Sequence, residues 1–323
     1  MFFTLAELEA AVPLVRAVVP PTPQFAWPLL KARFGTEVIV KHENHTPVGA
    51  FKVRGGLTYF ERLKRERPQV KGVVSATRGN HGQSLAFAGA RAGVAVTIVV
   101  PRGNSAEKNA AMRAFGAELL EHGRDFDEAK ARAEALAAER GLEYAPSFHK
   151  DLVVGVATYA HELFRAEPGL DTVYVPIGLG SGICAVIGAR DALKLKTRVV
   201  GVVSDRAACY SLSMKNNTLV KTESALTFAD GMAVRNPDPA ALELIRRGAE
   251  RVVEVSDDEV AEAIRILFSD THNTAEGAGA APLAGFMKEK ANAGKRVAVV
   301  LTGQNIDRAV MQEVLAGRTP RVA

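Results

Sequence analysis

Val173-Tyr174-Val175-Pro176-Ile177-Gly178-Leu179-Gly180-Ser181-Gly182-Ile183 passes from an apolar run into three glycines at alternate positions. An apolar run followed at once by a glycine-rich turn and a helix-like segment reads as a buried strand opening a helix. Short Val-rich runs of the same kind recur at Glu37–Lys41, Val73–Ser75, Val94–Val100, Arg198–Val203, Arg251–Val255 and Arg296–Leu301, with helix-like segments between them. The alternation predicts an α/β protein with mostly parallel sheets. The strands are apolar on both faces, so helices are expected on both sides, and ligand groups in the loops at the strand C-termini.

Composition narrows the class. Of the 323 residues 47% are hydrophobic, enough for a well-buried core. No stretch approaches the roughly 18 uncharged apolar residues of a membrane span. The opening residues, Met1 to Leu14, carry acids where a secretory leader carries basic side chains, so a cytoplasmic protein that does not bind membranes is expected. Cys184 and Cys209 lie in small-residue, helix-like stretches without a partner at metal-ligand spacing, and read as packing thiols. The net charge is +5, but the densest basic run, Arg62-Leu63-Lys64-Arg65-Glu66-Arg67, is broken by acid and lacks interleaved aromatics. It reads as a solvated helix face and not as a nucleic-acid surface. A basic excess still suits small anionic ligands.

Residues 70–147 hold a compact set of strand and helix signals, including the Ala-rich helix Asp125–Arg140. No Pro/Ser-rich linker or repeat divides the chain, so a second domain must be inserted within the first. The expected layout is a large domain from residues 1–69 and 148–323, with a small one from 70–147.

Four segments carry chemistry. In Ala50-Phe51-Lys52-Val53-Arg54-Gly55-Gly56 a lysine stands between apolar neighbours at a loop-to-helix junction. Partial desolvation there depresses its pKa and favours a Schiff base with an aldehyde; a plain surface lysine is the alternative. Ser75-Ala76-Thr77-Arg78-Gly79-Asn80-His81-Gly82 follows a strand and precedes a helix over Gln83–Ala92, a place where backbone N–H groups hold a carboxylate or merely cap the helix. His81 alone fits a packed structural histidine as well as a catalyst. Residues Gly178 to Ile183 can wrap one phosphate, aided by the Ser181 hydroxyl. The rival dinucleotide fingerprint fits worse, because the third glycine comes too early and no acid ends a strand at the required distance. Late in the chain, Glu276 is an isolated carboxylate among small residues in Ala275-Glu276-Gly277-Ala278-Gly279, and Thr302 caps the last strand in Leu301-Thr302-Gly303-Gln304-Asn305.

Taken in order, these segments resemble the fold-type II pyridoxal-phosphate (PLP) enzymes over essentially the whole chain. The similarity is to the serine/threonine dehydratase (ammonia-lyase) family and its serine racemase-like branch. The family's K-x-E…G-S-F-K-x-R-G-A is similar to Lys41-His42-Glu43 and Gly49-Ala50-Phe51-Lys52-Val53-Arg54-Gly55-Gly56, and its S-S-G-N-H to Thr77-Arg78-Gly79-Asn80-His81. Its glycine-rich loop and its A-D-G, A-E-G-A-G and S-G-G-N stations match Gly178–Ile183, Ala229-Asp230-Gly231, Ala275–Gly279 and Thr302–Asn305.

The resemblance implies a tryptophan synthase β-like fold of two three-layer α/β domains, pyridoxal 5'-phosphate in the cleft between them, and a homodimer. It implies that a β-hydroxy-α-amino acid is dehydrated and deaminated to a 2-oxo acid and ammonia. Lys52 would carry the cofactor and then take the Cα proton. Phe51 would lie beside the ring, Asn80 at its 3-hydroxyl, and Thr302 at its nitrogen, with Glu276 also at the cofactor. Gly178, Leu179, Gly180, Ser181, Gly182 and Ile183 would hold the phosphate, and Thr77, Arg78, Gly79, Asn80 and His81 the substrate. β-Replacement, racemisation and PLP binding without turnover are the competing expectations.

Four departures limit the resemblance. Ala50 replaces a serine before Phe-Lys. Arg78 replaces the serine that in racemase relatives protonates the opposite face, and an arginine is a poor acid. Its candidate roles are a distal substrate carboxylate, the cofactor phosphate, or an aromatic substituent lying flat against it; an outward turn to solvent is the bland alternative. Small Ala50 and Ala76 are expected to leave room for a substituent larger than a methyl, as in 3-phenylserine or 3-hydroxyaspartate. Leu179 and Ser181 interrupt a run of glycines. Val203 and Cys209 stand where divalent-dependent relatives carry carboxylates, so no metal site is expected.

Overall fold

Branched, apolar runs bounded by glycine become the central strands of two sheets in the computed structural model, which describes residues 2–321. The strands are β1 (Gln24–Ala26), β2 (Glu37–His42), β3 (Val73–Ala76), β4 (Val96–Val100), β5 (Glu118–Glu121), β6 (Glu143–Tyr144), β7 (Thr172–Pro176), β8 (Arg198–Ser204), β9 (Arg251–Val255) and β10 (Arg296–Leu301). The larger sheet has the order β1-β2-β10-β7-β8-β9 and the smaller β5-β4-β3-β6. Every pairing is parallel except that of β1 with β2. In the larger sheet β10 lies inside, with Val297 aligned to Val38 on one side and to Thr172 on the other.

Helices cover both faces of each sheet, as strands apolar on both faces require. One face of the larger sheet packs on the helices Leu5–Arg16, Lys150–Ala166, Ser181–Ala192 and Pro239–Gly248, through residues such as Leu8, Tyr159, Ile187 and Ile245. The other packs on Pro28–Phe34, Asp257–Thr271 and Gly277–Lys288, through Leu30, Ile264 and Phe286. The smaller sheet lies between Lys52–Glu66 and Asn80–Ala92 on one face and Phe126–Arg140 on the other. No helix of the described residues is long and apolar enough to cross a membrane.

The structure moves two boundaries. The helix expected from Gln83 begins at Asn80, and the strand expected from Val94 begins at Val96. Gly93 ends the preceding helix in the left-handed region (φ 66°), and the Val94 amide is spent on the Gly89 carbonyl as part of that cap. Val94 therefore cannot start the ladder.

Helix Lys52–Glu66 joins the two sheets. Its Val53, Leu57, Phe60 and Leu63 belong to the core of the smaller sheet. On another side it meets helix Lys150–Ala166 so closely that a Cβ on Gly55 would stand 2.6 Å from the Leu152 carbonyl oxygen. The same contact encloses a charged cluster. Arg54, with 0% exposure, donates through Nε to Glu43 Oε2 at 2.7 Å and through Nη1 to Glu162 Oε1 at 2.9 Å. Lys41, equally buried, donates to Glu162 Oε2 at 2.8 Å and to the Thr22 carbonyl at 3.0 Å. Two cations and two carboxylates thus balance in the buried interior. Burial pushes the Glu162 carboxyl up, but Arg54 and Lys41 overcome this and hold it below the usual carboxylate range.

Removing one member leaves uncompensated charge inside. Arg54→Met should therefore destabilise the fold by about 3–5 kcal/mol, the usual cost of breaking a buried pair from one side. Urea unfolding of the variant beside the wild type measures it.

Candidate active site

The loops that follow β3, β7 and β10 line one cavity together with the start of helix Lys52–Glu66. Lys52 is the first residue of that helix, after Phe51, which offers no side-chain cap. Its Nζ donates to Ser181 Oγ at 2.7 Å and lies 5.1 Å from the Phe51 ring centroid. Burial pulls its ammonium down to about 8, so a useful fraction is the neutral, nucleophilic amine near neutral pH. The Ser84 hydroxyl holds the Lys52 carbonyl at 2.6 Å and so fixes the helix start.

Across the cavity, Gly178, Leu179, Gly180, Ser181 and Gly182 form a cradle at the start of helix Ser181–Ala192. Gly180 has φ +98°, a left-handed conformation that side chains disfavour, and any Cβ on Gly178 would run into the Gly231 carbonyl. No side chain caps the first N–H groups of this helix. An anionic oxygen group is their natural partner. The Tyr210 hydroxyl donates to the Leu179 carbonyl at 3.2 Å and braces the loop where glycine gives way to leucine. The Ile183 side chain lies in the core of the larger sheet, so only its backbone, in the first turn of this helix, is placed to serve the cradle.

The segment Thr77–His81 forms a third wall. Thr77 Oγ1 accepts from the Gly79 N–H at 3.0 Å, and helix Asn80–Ala92 starts immediately after. His81 is buried, and burial together with the nearby Lys52 cation pushes its imidazole down to about 3. It is therefore a neutral packing group at physiological pH and a poor proton donor. Arg78 is half-buried and makes no hydrogen bond or ion pair among the described residues.

Asn80 donates to Glu276 Oε1 at 2.6 Å and accepts from Asn305 Nδ2 at 2.8 Å. Both ends of its amide are thus engaged within the protein. Glu276 is buried, and burial lifts its carboxyl to about 7 against the opposing pull of Lys108; its Oε2 has no hydrogen-bond partner. Thr302, also buried, points its hydroxyl at the Ala278 carbonyl at a loose 3.4 Å, which leaves it free to turn to a ligand.

Lys108 and Phe126 belong to this site and carry no sequence signal of their own. Lys108, from helix Ala106–Ala114, reaches Asp230 Oδ2 at 2.5 Å and Glu276 Oε2 at 3.6 Å. Its stem runs beneath the substrate loop, with Cδ 2.6 Å from where a Gly79 Cβ would be. The only hint in the chain is a lysine in a first helical turn, where a cation opposes the helix dipole and calls for an anion. Ala50 and Ala76 are buried but do not line the cavity, so the room expected from them comes instead from the wall formed by Phe126, Ala233 and Val234. Val203 and Cys209 lie in the core, and burial pushes the Cys209 thiol up to about 12, which makes it inert. Among the described residues no three metal-ligating side chains cluster.

A desolvated amine, a glycine-lined row of unpartnered N–H groups and a neutral hydroxyl in one cavity match the aldehyde, phosphate and ring nitrogen of PLP. A family profile described as "Pyridoxal-phosphate dependent enzyme" matches residues 15–303. The chain belongs to this family. It is 35% identical to the biosynthetic L-threonine dehydratase of Salmonella typhimurium over 86% of this chain and 55% of that protein. It is 31% identical to the L-threonine ammonia-lyase of Thermotoga maritima over 97% of this chain and 78% of that one. The processed form of threonine deaminase isoform 2 from Solanum lycopersicum superposes with a TM-score of 0.88 at 29% identity, covering 98% of this chain and 95% of the other. The chain thus spans only about half the length of the Salmonella enzyme.

Lys108 is the nearest counter-charge to Glu276. Lys108→Met should move the Glu276 titration upward from its midpoint of about 7, because burial is then opposed by no cation; Lys108→Arg should restore most of it. Carbon-13 NMR of labelled glutamate carboxyls against pH measures the shift.

Proposed function

We propose that this PLP-dependent enzyme is an ammonia-lyase that eliminates water from a β-hydroxy-α-amino acid of the serine/threonine type, yielding a 2-oxo acid and ammonia. One observation carries the reading: the depressed Lys52 amine, the unpartnered N–H groups of the 178–182 loop and the Thr302 hydroxyl converge on a single cavity. Dehydratase and ammonia-lyase names among the relatives support it.

Bound PLP supplies an electron sink for the charge freed at the substrate Cα. Lys52 Nζ, steadied by Ser181 Oγ, is the base that takes the Cα proton. The first-turn N–H groups of helix Asn80–Ala92 hold the substrate carboxylate. Thr302 offers a neutral hydroxyl and no carboxylate to the ring nitrogen, which favours rapid loss of the β-hydroxyl over transamination. Water leaves across Cα and Cβ, and hydrolysis of the released enamine returns one water and frees ammonia. Arg78 supplies no proton to the opposite face, which counts against racemisation.

Borohydride reduction followed by peptide mapping should place the cofactor on Lys52, and Lys52→Ala should abolish 2-oxo acid release from serine and threonine. A label on another lysine would refute the assignment. A cytoplasmic location and a homodimer are part of the same proposal, the homodimer supported by the 50% and 55% exposure of Phe25 and Leu29. Light scattering should return twice the chain mass, and a monomer mass would reject it.

A further inference from the structure

We infer that the preferred substrate carries a second carboxylate beyond Cβ, and that Arg78 is the residue that binds it. The inference rests on the elimination proposed above and names the substrate class of that same site.

The cavity does not end at the reacting atoms. Arg78, Phe126, Leu179, Ala233 and Val234 line it and also line an adjoining chamber, so the two are continuous. That chamber is lined further by residues 223–226 and by Arg235 and Asn236. The methyl of threonine would leave it empty.

Its charges decide what fills it. Three acids line the chamber; Arg235 Nη2 holds Asp125 at 2.8 Å and Asp127 at 2.5 Å, and Asn236 Nδ2 donates to Asp127 at 3.0 Å, so two of them are engaged. Lys108 is spent on Asp230 and Glu276. Lys52 is committed to the cofactor, and Glu223 is exposed on the rim. Arg78 is left, half-buried at the junction of the two spaces with no acceptor among the described residues. An arginine stays charged, and its fork of N–H donors matches a carboxylate. An aromatic substituent would leave those donors unmet. The substrate's α-carboxylate and the cofactor phosphate already have their own helix N-termini, at Asn80 and Ser181. The guanidinium therefore remains for a distal anion, as in 3-hydroxyaspartate.

The test is 2-oxo acid release from serine, threonine, 3-hydroxyaspartate and 3-phenylserine by wild type, Arg78→Ser and Arg78→Lys. Wild type should prefer 3-hydroxyaspartate. The ratio of kcat/KM for 3-hydroxyaspartate to that for serine should fall by about tenfold to a hundredfold in Arg78→Ser, the worth of a charge-assisted hydrogen bond, and by less in Arg78→Lys. Calorimetry on the cofactor-loaded protein gives a second readout: succinate should bind wild type more tightly than butyrate does, and Arg78→Ser should erase the difference. An unchanged ratio, a loss falling mainly on 3-phenylserine, or a fall in PLP affinity would overturn the assignment. Release from no substrate would defeat the elimination reading instead, while the succinate titration would still decide Arg78.

Discussion

Arg54 is the point on which the geometry of the site depends. It stands two residues beyond Lys52, and its guanidinium is clamped between Glu43, at the end of the second strand, and Glu162, on the helix Lys150–Ala166. Such a cluster is costly to bury, and replacing it with well-packed apolar side chains would often leave a protein no less stable. What it adds is direction. Four charged groups from three distant segments are satisfied in only one arrangement, and that arrangement turns the start of helix Lys52–Glu66 so that the lysine amine meets Ser181. The reactive amine is partly desolvated, but it is placed by neighbours that are charged and wholly buried.

Charge also joins the two sides of the cavity. Lys108 and the acids at 125 and 127 come from the side of the smaller sheet, and both sets reach a single stretch, Asp230 to Arg235, on the other. These pairs differ in kind. Lys108 is buried, lies against the substrate loop and tempers the Glu276 carboxyl, which in turn holds Asn80. Arg235 is partly exposed, and its pairs are weaker for that reason. The inner tie shapes the chemistry, whereas the outer one closes the wall of the adjoining chamber.

Much of this was legible in the chain, for a physical reason. A strand buried on both faces has to be a continuous branched apolar run, as Val173–Pro176 and Arg296–Leu301 are, and ligand loops must follow such strands. Lys52, Thr302 and the 178–182 glycines lie at those places. Strands β1, β5 and β6 escaped notice because they are two to four residues long and lie at sheet edges, where Glu118 and Glu121 break the apolar pattern. Lys108 escaped because its partner Asp230 is 122 residues away and its own neighbours look like any solvated helix face. Ile183 serves both ends of this logic: its amide is at the helix start, while the helical turn carries its side chain away into the core.

Helix Lys52–Glu66 belongs to two cores at once, supplying Leu57 and Phe60 to the smaller sheet while its Gly55 and Arg54 lock against the helix Lys150–Ala166. The smaller sheet is therefore not a transplantable module. Cut out as residues 70–147, it would lose one of the two helices on that face and present Val73, Leu85 and Ile98 to water; cut out as residues 52–147, it would leave Arg54 and Gly55 without the helix they lock against. Variation in specificity is left to the loops that hang from it, the one bearing Arg78 foremost.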